Sequence, residues 1–320
     1  MTSAGSARSS GGVWLSLWLG LLFTAASQPV TAEVVHRERS LYQTVIVVKE
    51  SDRVCMQFTV RRDQRNQTCF YPKRPREMVF PYTRMMMTVL TLNPNPQRML
   101  VLGLGGGTLP GALMELYPQA TMDVVEIDPV VVEVAEQWFN YLPGPNTTIH
   151  VQDARVFVKR ELKRLQTSTE RKPYDIVLLD AFNGDYIPEH LMTREFLEEV
   201  RGLLSETGVI AANTFAASRL YDHESATYAA VFGSFLSLAR EYSGNRILFT
   251  RRNGLSVDVK ATARVQAAAL EERVLPYGID LPAQVNDLTA RRDWDTSARV
   301  LTDQFSPANL LREKRRRPGP

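Results

Sequence analysis

The stretch Met99–Asp128, MLVLGLGGGTLPGALMELYPQATMDVVEID, constrains the fold more than any other part of the chain. Met99-Leu-Val-Leu102 is an uninterrupted apolar run, which predicts a strand buried on both faces. Gly103-Leu-Gly-Gly-Gly107 predicts a tight turn, followed by a helix to about Tyr117 and a second strand over Met122–Ile127 that carries Glu126 near its end. Strand, glycine turn, helix, strand and acid, in that order, build a βαβ unit that holds a nucleotide at the carboxyl end of a parallel sheet. The acid follows the glycines by about 20 residues, the spacing expected of a ribose-binding carboxylate. Glycines let a ligand approach the backbone closely, and the free N–H groups of a helix start donate to ligand oxygens.

The remaining pattern extends this unit. Glu33–Tyr71 reads as strands, with Gln43–Val48 rich in β-branched residues, Val54–Val60 alternating, and Arg61–Gln67 a polar turn or loop. The Pro-rich stretch Tyr71–Pro75 closes this small β-subdomain. Glu77–Leu92 predicts a helix with Pro81 in its first turns and Met85–Met87 in the core. Asp128 caps and Pro129 opens the next helix. Thr148–Val151 is a short third strand leading to Asp153, and Val156–Leu165 a helix. Tyr174–Leu179 is a fourth strand ending on Asp180. Arg194–Leu204 predicts an amphipathic helix stopped at Gly208, and Val209–Ala212 a fifth strand leading to Asn213. Tyr221–Glu241 reads as a helix and Arg246–Thr250 as a strand. The expected class is α/β: a Rossmann-like domain over residues 76–262, behind a β-subdomain at 33–75 and ahead of a helical segment and basic tail at 263–320.

Residues 1–32 read as a signal peptide: Arg8, then the apolar Val13–Ala26, then Val30-Thr-Ala32 as cleavage site. The mature chain is expected to be exported, periplasmic or secreted; left uncut, the same segment would anchor it. The chain's two cysteines, Cys55 and Cys69, fall in one predicted hairpin, so an exported chain permits a disulfide between them. The net charge of +3 is small and much of the excess sits in Arg312–Arg317, without the basic, aromatic-interleaved surface of a nucleic-acid binder. No metal is expected, since none of the four histidines has zinc-ligand spacing; His190 and His223 read as surface or capping residues. The absence of Gx4GK[ST] and of GxSxG argues against P-loop NTPases and α/β-hydrolases.

Glu126, Asp153, Asp180 and Asn213 recur at strand ends, which converge on one crevice in a parallel sheet. An acid after the third strand suits an adenine amino group; one after the fourth suits a cationic centre or an amine. On the glycines alone a nicotinamide dinucleotide is the rival ligand, but the motif's mid-chain position and the later acids weigh against it.

Leu102–Pro110, Val125–Pro129, Asp153–Arg155 and Tyr174–Asp180 resemble the spermidine synthase family of polyamine aminopropyltransferases, over about Ser40–Phe249. The resemblance implies a donor, decarboxylated S-adenosylmethionine or S-adenosylmethionine itself, an amine acceptor, and the homodimers common in that family. It implies that Gly103, Gly105 and Gly107 line the nucleoside, that Glu126 binds ribose, that Asp153 and Ala154 meet the adenine edge, and that Gln43 and Asp180 face the donor. Leu301–Leu310 resembles a closing segment of such proteins. The chain departs from the pattern in three places. Thr108 stands where the family's glycine loop continues with aspartate, Asn183 where it carries its base, and Thr83-Arg84 where it has a His-Glu pair. Asp185 is the substitute candidate for the base, and a cation at Arg84 would repel a diamine. Aminopropyl transfer is the leading reading; methyl transfer and a non-catalytic nucleoside-binding protein are the alternatives.

Overall fold

The computed structural model describes Gly5 and residues 32–59, 66–182, 187–217, 220–240 and 243–307. The signal-peptide segment lies outside these residues except for Gly5 and Ala32. Four antiparallel strands come first: β1 (Glu33–Arg39), β2 (Thr44–Glu50), β3 (Arg53–Thr59) and β4 (Asn66–Phe70). Cys55 and Cys69 face each other across β3 and β4 and are joined by a disulfide. Asn66 and Gln67, expected in the polar loop, belong to β4, because Asn66 pairs with Gln57.

The first helix, α1, covers Pro81–Met86 and tightens into a 3-10 turn at Met87–Thr91. It starts later than the expected Glu77. Phe80 is extended, with ψ at 135°, the conformation a following proline imposes, and Pro81 takes the first helical position. Met85–Met87 are fully buried in the core, as expected.

Next come β5 (Arg98–Leu102), α2 (Thr108–Leu116), β6 (Thr121–Glu126), α3 (Pro129–Trp138), β7 (Thr147–Val151) and α4 (Ala154–Thr167). Then follow β8 (Tyr174–Leu179), α5 (Arg194–Leu203), β9 (Leu204–Phe215), α6 (Leu220–Phe232), β10 (Leu236–Ala239) and β11 (Asn245–Arg251). Helices α7 (Val259–Val274) and α8 (Leu281–Asp287) end the regular structure. Two expectations need correction. Strand β9 begins at Leu204 rather than Val209, because Leu204 pairs with Tyr174 across a register shift, so Gly208 lies inside the strand. Helix α6 stops at Phe232, where Gly233 adopts a φ of 77°; the rest of the predicted helix holds β10 instead.

The seven-stranded sheet has the order β10-β11-β9-β8-β5-β6-β7. Strands β5 to β9 are parallel, whereas β10 and β11 are antiparallel to their neighbours. Both faces are covered: Met99 and Val101 enter one apolar cluster, Leu100 and Leu102 the other. The small sheet packs Val45, Val47, Met56 and Phe58 against Val130, Val131 and Val134 of α3. Ser40 Oγ adds a hydrogen bond to Asp128 Oδ2 at 2.6 Å, while Oδ1 of that carboxylate accepts from Val130 N–H as the α3 cap.

A buried ionic knot stabilises the amino ends of the parallel strands. Arg98 donates to Asp123 at 2.9 Å and to Glu161 at 2.8 Å, and stacks over the Tyr174 ring at 4.0 Å. Tyr174 Oη donates to Asp123 at 2.7 Å. Removing one member leaves buried charge uncompensated. Arg98→Met should therefore lower the unfolding free energy by about 3 kcal/mol, measured by urea titration; a loss below about 1 kcal/mol would place the knot among weak surface pairs.

Candidate functional site

The carboxyl ends of β5, β6, β7 and β8 open into a cavity of about 590 Å³. The small sheet roofs it with Gln43, Asn66, Gln67 and Thr68, and α1 contributes Tyr82 and Thr83. The floor is the glycine turn. Gly103 has a φ of 100°, and a Cβ there would collide with the carbonyl of Asp180. Glycine therefore serves a close backbone approach between the ends of β5 and β8. Gly103, Leu104, Gly105 and Gly106 line the cavity. Gly107 is not among the lining residues. With φ at 74° it is the N-cap of α2, and a Cβ would strike the Tyr141 ring, so its place is in packing.

Glu126 is held from behind. Its Oε2 accepts from Leu104 N–H and its Oε1 from Asp128 N–H, both at 3.0 Å. Each carboxylate oxygen keeps a further lone pair for a hydroxyl. Burial raises its pKa, while these backbone bonds counteract the rise. Asp153 caps α4: Oδ1 accepts from Val156 N–H at 2.9 Å, and Oδ2 lies 2.9 Å from His190 Nε2. Burial would raise its pKa, but the Val156 and His190 bonds outweigh it and hold the carboxyl below its usual range. His190 thus reaches the site, beyond the surface or capping place read from the sequence. Ala154 lines the cavity beside Asp153. Gln43 also faces it, with Oε1 buried and unpaired.

Asp180 sits half-buried at the end of β8, bordering the cavity. Asn213 Nδ2 donates to its Oδ1 at 2.8 Å, and Tyr82 hydrogen-bonds it from α1. Asn245 Nδ2 in turn donates to Asn213 Oδ1 at 2.9 Å, which fixes the amide's orientation. Burial pushes the Asp180 carboxyl up to about 7, against the lowering effect of Asn213 and Tyr82. Among the described residues no cation pairs with it. Glu126, Asp153, Asp180 and Asn213 thus border one cavity, together with Thr108.

Arg84 is not among the lining residues; its guanidinium lies near Gly278. Asp185 and Asn183 lie outside the described residues. Sequence reasoning missed Tyr82, Asn245 and His190. Tyr82 stands next to the Thr83-Arg84 pair that drew attention, and Asn245 reaches the site only through antiparallel pairing of β11 with β9.

The spermine/spermidine synthase domain model matches residues 79–253. A polyamine aminopropyltransferase of Vibrio vulnificus (strain CMCP6) is 47% identical over 87% of this chain and 91% of its own length. The chain belongs to the spermine/spermidine synthase family. A family fold also appears in the crystal structure of a probable spermidine synthase from Corynebacterium glutamicum ATCC 13032, similar with a TM-score of 0.60 at 19% identity over 84% of this chain and 99% of that one. The likeness extends to methyltransferases. Human methyltransferase-like protein 13 in complex with SAH matches with a TM-score of 0.51 at 25% identity, over 72% of this chain and 100% of that one.

The raised Asp180 pKa has a stability consequence. Between its unfolded value of 3.8 and its folded value of about 7, the native state holds a proton that the unfolded state releases. Stability therefore falls as pH rises across that window and levels off above it. Asp180→Asn removes this loss. Its Tm should exceed that of the unmodified protein by about 5–10 °C at pH 8 and converge with it near pH 4. Parallel Tm curves by calorimetry would show that Asp180 does not titrate in this way.

Proposed function

We propose that this protein transfers the aminopropyl group of decarboxylated S-adenosylmethionine to an amine of the polyamine class. The observation that carries the reading is Asp180, a half-buried cavity carboxylate with a neutral hydrogen-bonded shell, beside the glycine turn. Such a group is stabilised in its charged form by an arriving cation. The ammonium end of the donor supplies one. Family membership and the Vibrio relative support the same chemistry.

In this reading Glu126 accepts the ribose hydroxyls, Asp153 and Ala154 meet adenine, and Gln43 offers its unpaired carbonyl to the donor. The lone pair of a neutral amine attacks the methylene carbon next to the sulfonium. The new C–N bond forms as the C–S bond breaks, and the departing electron pair leaves sulfur as a neutral thioether. The alkylated amine then releases a proton. Asp180 orients the donor so that nitrogen, carbon and sulfur are in line, and Asp185 is the proposed proton acceptor. Methyl transfer is the second reading. Thr108 favours it, since a neutral hydroxyl lines the cavity where the family's loop carries aspartate.

Export is part of the proposal. The Cys55–Cys69 disulfide supports an oxidising compartment. Among the described residues no helix is long and apolar enough to cross a membrane. Intact-mass measurement of protein from an exporting host should find a chain beginning at Glu33; retention of Met1–Ala32 would refute cleavage.

The test of the reaction is mass spectrometry of mixtures with either donor and a panel of amines. Methylthioadenosine and an aminopropyl-extended amine should form with the decarboxylated donor, and Asp180→Asn should lower kcat/KM by about 100-fold. S-adenosylhomocysteine formed from S-adenosylmethionine would select methyl transfer instead. No product from either donor would refute both.

A further inference from the structure

The turn that joins β1 to β2 is built around the hydroxyl of Ser40. Its Oγ accepts from the N–H groups of Tyr42 and Gln43, at 3.0 and 3.1 Å. Ser40 N–H donates to Gln43 O at 2.9 Å, which closes the turn. The hydroxyl proton has two acceptors in reach, Gln43 O at 3.0 Å and Asp128 Oδ2 at 2.6 Å. The carbonyl is already served by Ser40 N–H, and a bond to a carboxylate is the shorter and stronger kind, so the proton goes to Asp128. Asp128 is 1% exposed, and leaving its oxygen without that donor is costly.

Both ends of this tie reach the main cavity. On one side Gln43 ends the turn and faces the cavity with its buried, unpaired Oε1. On the other, Asp128 N–H holds Glu126 Oε1 at 3.0 Å, and Glu126 also lines the cavity. A continuous hydrogen-bonded path therefore runs from Gln43 through Ser40 and Asp128 to Glu126. It crosses between two sheets that share no ladder. Their apolar seam on α3 holds them together without direction, so it does not by itself fix how far Gln43 stands from Glu126. The Ser40–Asp128 bond does. A ligand that meets both side chains needs that spacing, since a misplacement of about 1 Å is enough to lose a positioned contact.

We propose that Ser40 is a positioning residue for donor binding: its hydroxyl, anchored on Asp128, registers the Gln43 carboxamide against Glu126 across the cavity. Ser40 touches no ligand itself and acts through Gln43. The inference rests on the reading that Gln43 and Glu126 bind the sulfonium donor, and adds what holds these two residues of different sheets in register.

The experiment is a double-mutant cycle read by calorimetric titration with decarboxylated S-adenosylmethionine, without any amine present. Ser40→Ala and Gln43→Ala should each raise the dissociation constant about 10-fold. The double variant should be weaker than Gln43→Ala by less than about threefold, because the contact that Ser40 positions is already gone. Ser40→Thr, which keeps the hydroxyl, should restore binding. A merely structural role lowers Tm but leaves the two losses to multiply, so a double variant weakened about 100-fold overturns the coupling. So does a folded Ser40→Ala, or a Gln43→Ala, that binds within about threefold of the unmodified protein. Should Ser40→Ala fail to fold, Asp128→Asn takes its place in the cycle with the same expected outcomes. Asparagine caps a helix as well as aspartate, and with its oxygen on Val130 N–H its amide offers Ser40 no acceptor. If the unmodified protein binds no decarboxylated donor, the donor reading itself fails and takes the coupling with it; binding with multiplied losses overturns the coupling alone.

Discussion

The site depends on one steric fact: the backbone of Gly103 meets the carbonyl of Asp180 at a distance that leaves no room for a Cβ. Two parallel strands are held together by their ladder, with Asp180 N–H donating to Leu102 O at 2.9 Å. That contact brings the glycine turn and the end of β8 into one floor. The Asp180 side chain is thereby committed to a half-buried place beside the cavity, where Asn213 and Tyr82 hydrogen-bond it. The same turn delivers Leu104 N–H to Glu126. A change at this glycine would displace two acids at once.

The cavity is built from two sheets that share no ladder. Their union is an apolar seam along α3, secured by Ser40 on the α3 cap. Strand β4 carries Asn66, Gln67 and Thr68 into the roof, and its neighbour Cys69 ties it to β3. Stability is concentrated away from the chemistry, in the Arg98 knot at the opposite end of the parallel strands. The functional end carries the opposite balance: burial raises the proton affinity of Glu126 and Asp180 alike. Such clustering of disfavoured charge is what a binding site tolerates and a scaffold avoids.

The βαβ unit was legible because its strands are buried on both faces and so read as continuous apolar runs, bounded by glycines and by the Asp128-Pro129 cap. The antiparallel edge was not. Leu236 and Leu238 continue the apolar spacing of α6, and only the left-handed Gly233 separates helix from strand. The early start of β9 depends on Leu204 meeting Tyr174, a tertiary contact without local signal. The acids at parallel strand ends could be found because topology alone aligns them. Tyr82, His190 and Asn245 could not, since each acts by reaching another side chain across the fold. Of the segment that resembles a closing strap, Leu301 is fully buried and Asp303 pairs with Arg155 at 2.6 Å.

The reversed direction of β11 has a consequence for divergence. Parallel strands present their last residues and the loops that follow them to the crevice, so Gly103, Glu126, Asp153 and Asp180 all lie where a strand hands over to a helix. Strand β11 runs the other way and presents its first residue, Asn245, which it offers to Asn213. Residues on this side are therefore governed by the connection that precedes a strand. Insertions there would remodel one flank of the cavity while the nucleoside turns stay untouched. A chain wired in this way can drift in one half of its chemistry while the other is held constant.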